Sequence, residues 1–207
     1  MTPARGPRGL GPRQEQAPQG LRRAQPADAS AADAGVVFAA VIAGECSAPA
    51  LRADLLSTWV AVTDAGGAVG FTPPADIEAI ADVLDGALQA VSSGRDALGI
   101  LRRGDEAVGM GFLVDRGSAL QRHWRTVLRV MVRPELQGAG AGGLLLEGLH
   151  GVARELSLEQ LRLTVRGGTG VERFYERFGY VVVGRHPGAL RLAPGDDRDE
   201  IMMVTRL

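Results

Sequence analysis

The sequence predicts an α+β fold: a mixed, mostly antiparallel central sheet with flanking helices. Three observations carry that prediction. Two stretches early in the chain repeat apolar residues at helical spacing, Leu51, Leu55, Trp59 and Val62, then Ile77, Ile80, Leu84, Leu88 and Val91. Short β-branched runs recur through the rest, the late ones close enough to pair as hairpins. Between them, Val130 to Gly143 passes from strand to glycine-rich turn to helix without interruption.

Taken in order, residues 1–35 read as a disordered leader rich in Arg, Pro and Gly. Its first 26 residues hold five arginines against one acid, Glu15, and no aromatic residue. Such a stretch cannot bury enough apolar surface to order itself. The domain is expected over 36–207. Val36 to Ile42 is an apolar run that reads as a buried strand. A helix follows, with Ser47 and Pro49 as start signals and Gly66-Gly67 as its stop. Gly70-Phe71-Thr72-Pro73 marks a loop carrying an aromatic, and the second helix closes at Gly94. Ala97 to Leu101 and Ala107 to Val114 flank an Arg-Gly-Asp turn, and Thr126 to Val132 is a third strand candidate. After the glycine turn, Leu145, Leu149, Val152 and Leu156 mark a helix and Leu161 to Val165 a strand. Val171 to Arg177 is a short helix, Tyr180 to Val183 a strand, Pro187 to Asp199 a long polar loop and Ile201 to Val204 the last strand.

Composition removes several classes of function. The chain of 207 residues has net charge −1, so no whole-protein basic field draws it to nucleic acid. All 23 basic residues are arginines, which excludes a lysine nucleophile or Schiff base. One cysteine, Cys46, excludes an intramolecular disulfide framework and a Cys-cluster zinc site, and three scattered histidines form no metal-ligand pair. No apolar run reaches the roughly 18 residues of a membrane span. These readings predict a cytoplasmic protein without a metal, a membrane or a nucleic-acid partner, either monomer or homodimer.

The chemistry is carried by the glycine turn. Strand, turn and helix start aim several backbone N–H groups at one place, where the helix dipole adds positive potential. Such a site suits a phosphate or pyrophosphate. Gly138, Gly140 and Gly143 satisfy the dinucleotide fingerprint G-x-G-x-x-G. That motif belongs to the first strand–helix turn of a nucleotide domain. Here only 64 residues follow Gly143, and the next strand ends in Arg166 and Gly167, with no carboxylate for a ribose hydroxyl.

Gln137, Gly140 and Gly142 also read as Q-x-x-G-x-G, directly after Val130-Met131-Val132-Arg133-Pro134. This resembles the acetyl-coenzyme-A segment of the GNAT superfamily of N-acetyltransferases. A second segment, Phe174-Tyr175-Glu176-Arg177-Phe178-Gly179-Tyr180, resembles that family's F-Y-x-x-x-G-F/Y passage from helix to strand. The likeness covers about residues 36–207 and includes the order of elements. Within the family, the Gly66-Gly67-Ala68-Val69-Gly70-Phe71 loop and the Arg185-His186-Pro187-Gly188 turn are similar to the tabtoxin-resistance type.

The resemblance implies a GNAT-like acyl-CoA N-acyltransferase fold with acetyl-CoA (coenzyme A) as co-substrate and no metal. It implies a bulge that splays the fourth strand from the fifth, so that the backbone of Val130, Met131 and Val132 receives the pantetheine arm. The pyrophosphate falls to the N–H groups of Gln137, Gly138, Ala139, Gly140, Ala141, Gly142 and Gly143. Tyr175 is implied as the acid that protonates the leaving thiolate. The usual glutamate base is replaced by Thr126; His123 is the nearby candidate, with Asp115 and Glu200 further options. Trp59, Phe71 and Trp124 are candidates for the acceptor pocket. The expected function is acetyl transfer to a primary amine of a small molecule in a ternary complex. Alternatives are protein N-terminal or side-chain acetylation, or a coenzyme-A sensor without turnover.

Overall fold

Apolar runs broken by glycine and polar turns set the strands, and the turns set their pairing. The computed structural model describes residues 35–207. The expected leader, apart from Gly35, lies outside the described residues. Seven strands form one sheet of order β1-β2-β3-β4-β5-β7-β6. They are β1 (Val36–Val41), β2 (Ala97–Arg103), β3 (Glu106–Val114), β4 (Trp124–Val132), β5 (Gln160–Arg166), β6 (Val181–Ala193) and β7 (Asp196–Arg206). The helices are α1 (Pro49–Asp64), α2 (Ile77–Ser92), α3 (Ala141–Glu155) and the short α4 (Glu172–Glu176). Every neighbouring pair of strands is antiparallel except β4 and β5. The mixed α+β sheet expected from the sequence is thus present.

Pro49 starts α1 because its missing N–H would have no helical partner there. Ser47 belongs to the preceding 3-10 turn instead. α2 starts at Asp76, whose carboxylate accepts the Ala79 N–H at 3.0 Å, a cap that contributes about 1 kcal/mol. The apolar stripes of α1 and α2 cover one face of the sheet, packing Leu55, Trp59, Ile80 and Leu84 against Ile100, Met110, Phe112 and Met131. α3 covers the other face, where Leu145 and Leu149 meet Leu101, Val108, Leu113, Val127 and Leu161. Each fully buried leucine contributes about 1.5–3 kcal/mol.

Two elements depart from the sequence reading. β1, expected as a buried strand, is the sheet edge, and Val37 on it is 60% exposed. The expected loop over Pro187 to Asp199 is instead the outer half of a β6–β7 hairpin closed at Gly195 (φ +82). Most of β6 is exposed, so no core-facing alternation marks it. Charge pairs across it take that place: Arg191 holds Asp197 at 2.6 Å and Arg185 holds Asp199 at 2.9 Å. Pro187 is tolerated because β6 is outermost and its register is broken between His186 and Leu190.

Candidate active site

The site begins with a fault in β4. Met110 of β3 opposes Met131, yet Phe112 opposes Leu128, so β4 carries one residue more than β3 across this stretch. Arg129 takes up the excess in the left-handed region, at φ 55. For a residue with a Cβ, such a conformation costs on the order of 1–3 kcal/mol and persists only where its surroundings enforce it. The bulge also breaks the alternation: Val127 and Val130, three apart, both face the α3 core.

The second consequence is a cleft. β4 pairs with β5 only through Trp124, Arg125 and Thr126, opposite Gln160, Leu161 and Arg162. Among the described residues, the β5-facing edge of β4 has no strand partner beyond Thr126. An extended, amide-bearing chain can bond there as an added strand does. Val130, Met131 and Val132 line that open edge.

The glycine turn closes the mouth of the cleft. Gln137 folds back, and its Nε2 donates to the Val132 carbonyl at 2.9 Å. Gly138 (φ +80) and Gly140 (φ +85) then turn the chain through conformations closed to most side chains. Gly140 is the N-cap of α3 and offers no side chain to the helix start. The first helical backbone bond is the Leu144 N–H to the Gly140 carbonyl, at 3.1 Å. The N–H groups of Gly138, Ala139, Gly140, Ala141, Gly142 and Gly143 therefore stay available at the positive end of the helix dipole. This geometry fits a pyrophosphate.

The turn is braced from below by the aromatic segment. A Cβ on Gly142 would stand 3.5 Å from Phe174 Cζ, and one on Gly143 would stand 3.2 Å from Phe178 Cζ. The close approach locks the α3 start to α4, which carries Tyr175. The Tyr175 ring packs edge-on against Phe174 at 5.0 Å and Tyr180 at 5.6 Å. Burial pushes the Tyr175 hydroxyl up to about 12. The hydroxyl therefore stays protonated through neutral pH.

The other predicted residues fall in separate places. Trp59 and Phe71 come together, ring centroids 5.8 Å apart at 73°. Trp59 is fully enclosed and donates its indole N–H to the Val69 carbonyl, so Phe71 is the half-exposed member. Trp124 lies at the closed end of the cleft, under the Arg162 guanidinium at 5.9 Å. His123 is exposed at the same end, and its carbonyl accepts the Glu159 N–H. Tyr175 lies on α4 with its ring against Phe174 and Tyr180, and no hydrogen bond or ring contact joins it to His123 among the described residues. Thr126 is buried, and its hydroxyl accepts from Arg116 at 3.2 Å. Asp115 is held by Arg125 at 2.8 Å. Glu200 sits on β7 opposite Arg166. Arg133 is tied to Glu106 at 2.6 Å and to the Thr58 hydroxyl at 3.3 Å, and so is committed inside the protein.

Arg129 escaped the sequence reading. Its guanidinium carbon lies 4.9 Å from the Trp59 ring centroid and 5.9 Å from that of Phe112. A signal for it exists in the sequence: it is the one charged residue within the apolar run Val127 to Val132.

A family model described as an acetyltransferase (GNAT) domain matches residues 74–187, more than half of the chain. The protein belongs to the GNAT acetyltransferase family, and its co-substrate is acetyl-coenzyme A. No curated protein matches the chain by sequence. Among solved structures, the GNAT-family acetyltransferase of Streptococcus pneumoniae is 16% identical with a TM-score of 0.66, over 83% of this chain and 99% of that one. The yncA acetyltransferase of Salmonella typhimurium, solved with its cofactor acetyl-CoA, is 16% identical with a TM-score of 0.65, over 84% of this chain and 94% of that one. The ribosomal-protein-alanine N-acetyltransferase of Brucella melitensis is 19% identical with a TM-score of 0.64, over 83% and 99%. At such identities the likeness is one of fold. Among the described residues, no helix is long and apolar enough to cross a membrane and no group of side chains could hold a metal ion.

Proposed function

We propose that the protein transfers the acetyl group of acetyl-coenzyme A directly to the primary amine of a small molecule, within a ternary complex. The observation that carries this reading is the open edge of β4, running from the bulge at Arg129 to the unpaired N–H groups ahead of α3. The pantetheine amides bond along Val130 to Val132, and the pyrophosphate rests on the turn from Gln137 to Gly143. The thioester carbonyl then lies near the bulge, where the Val130 N–H can support the oxyanion.

The amine nitrogen attacks the thioester carbon. As the tetrahedral adduct collapses, the C–S bond breaks and the thiolate takes the Tyr175 proton. The nitrogen loses its own proton to water, which restores Tyr175. Products are the acetamide and free coenzyme A. An ordinary thiol, with a pKa near ~8.5, is a stronger acid than the buried phenol, so the transfer is driven by desolvation of the thiolate in the cleft and by the accompanying loss of the amine proton. Water serves as the acceptor of the amine proton because Thr126 stands where relatives carry the glutamate, and because His123 lies at the closed end of the cleft.

A small acceptor is favoured over a protein by the tie that holds the α1–α2 loop, which carries the half-exposed Phe71, against the sheet. Arg166 ties the α1–α2 loop down onto β5, its Nη2 donating to the Gly66 carbonyl at 3.0 Å. A screen of amines for thiol release from acetyl-coenzyme A tests the proposal. Turnover with one or more small amines supports it. Turnover only with peptide N-termini would favour the protein-directed alternative, and tight coenzyme-A binding without any turnover would favour a sensor.

A further inference from the structure

Arg129 is half-buried against two aromatic rings, yet no carboxylate among the described residues lies within ion-pair distance of it. Nine other arginines of the described region do have such partners: Arg52, Arg95, Arg102, Arg103, Arg125, Arg133, Arg185, Arg191 and Arg198. The acid that contributes most field at Arg129 is Asp96. Its two oxygens are already taken by the Arg95 guanidinium, and one of them also accepts the Asp115 N–H. Desolvating a guanidinium without a counter-ion is costly, and a strained backbone places this one at the cleft.

Two more guanidiniums share its face. β5 sends Leu161, Leu163 and Val165 into the α3 core. Strand alternation therefore puts Arg162, Thr164 and Arg166 on the opposite face, the one where Arg129 meets Trp59. The Nε atoms of Arg162 and Arg166 are both buried without a hydrogen-bond partner. Orphaned buried donors of this kind call for an acceptor. Glu200, the register partner of Arg166, is an acid on the same face, and it forms no ion pair among the described residues. The α3 N-terminus packs on the other side of the sheet, so these arginines do not belong to the pyrophosphate turn.

We infer that the acceptor amine carries a carboxylate-class oxyanion, and that Arg129 at the β4 bulge is its counter-ion, with Arg162 and Arg166 extending the basic face. The inference rests on the acetyltransferase reading above and names the acceptor class for that site. Trp59 holds the guanidinium plane from behind and leaves its N–H fork for the anion. Binding the acid group fixes the amine beside the thioester; Arg129 itself takes no proton.

The test compares α-amino acids with their carboxamides, the same amines without the negative charge, on the wild type and on Arg129→Gln. Ratios between the two enzymes cancel the difference in amine basicity. The expected result is a rise of about 10- to 100-fold in KM for the acids on Arg129→Gln. The acid-to-carboxamide KM ratio therefore rises about 10- to 100-fold whatever loss the two substrates share, and Arg129→Lys recovers part of that ratio. Turnover of neutral amines in preference to acids by the wild type would overturn the inference and leave acetyl transfer standing. If no amine is turned over, calorimetry of the same acids and amides on the protein loaded with coenzyme A gives the answer. Acids binding more tightly than amides, with the difference lost in Arg129→Gln, supports the anion site; equal binding overturns it.

Discussion

Gln137 Nε2 donates to the Val132 carbonyl at 2.9 Å, so the residue that opens the glycine turn also clamps the end of the strand before it. The clamp fixes the path of Gly138 and Gly140 relative to the open edge of β4. It joins the place where the pyrophosphate rests to the place where the pantetheine arm pairs.

Gln137→Ala removes this clamp without touching the core, since residue 137 is exposed. One ordinary hydrogen bond contributes about 0.5–1.5 kcal/mol. Calorimetry is expected to show acetyl-coenzyme A binding weakened by about three- to tenfold, with a melting temperature within a degree or two of wild type. Full affinity in the variant would show that the turn holds its shape without the glutamine.

Gly140→Val places a β-branched side chain at φ +85, where the cap of α3 must turn left-handed. The strain, on the order of 1–3 kcal/mol, falls on the loop that receives the pyrophosphate. Acetyl-coenzyme A affinity should drop by at least tenfold in the same calorimetric assay. An unchanged affinity would remove the turn from the donor site.

Tyr175→Phe keeps the packing against Phe174 and Tyr180 and removes only the hydroxyl. Turnover is expected to fall by about a hundredfold or more, with acetyl-coenzyme A affinity within twofold of wild type. Because burial pushes that hydroxyl up to about 12, the wild-type rate at saturating amine should show no loss of this acid between pH 8 and 10. A variant with wild-type turnover would reduce Tyr175 to a packing residue.

His150 contributes a pH dependence of stability. It sits on α3 with its Nε2 3.2 Å from the Tyr180 hydroxyl, and burial, then the charge of Arg154, lowers it from 6.5 to about 4. The unfolded chain takes up this proton as pH falls through 6.5, while the folded protein resists until about 4. Stability is therefore fully present above 6.5 and declines toward pH 4, by on the order of 2 kcal/mol after allowing for residual solvent screening. Urea titrations at pH 7 and pH 4.5 should show that decline in the wild type and a smaller one in His150→Gln. Parallel declines would assign the acid sensitivity to other groups.

The candidate donor half of the site left a mark in the sequence because glycine, glutamine and tyrosine stand at a spacing that resembles the family's. Gln137, Gly140 and Tyr175 were singled out through that resemblance. The bulge was legible only through the family resemblance, since nothing in Leu128-Arg129-Val130 announces a left-handed residue. Missing it hid Arg129, because plain alternation does not reveal which face an extra residue will join. β6 was misread for a different reason. A mostly exposed edge strand carries no apolar period, and its Arg–Asp pairs become visible only when β7 lies beside it. Val36 to Ile42 misled in the opposite sense, an apolar run whose edge position leaves Val37 in water.

The central claim is direct acetyl transfer at the open edge of β4. Initial rates measured over a grid of acetyl-coenzyme A and amine concentrations, with the acetylated amine weighed by mass spectrometry, test it most directly. The account predicts intersecting reciprocal plots, one acetamide formed per thiol released, and no acetyl group left on the protein. Parallel plots with an acetylated protein intermediate, or coenzyme-A binding with no acetamide from any amine, would contradict it.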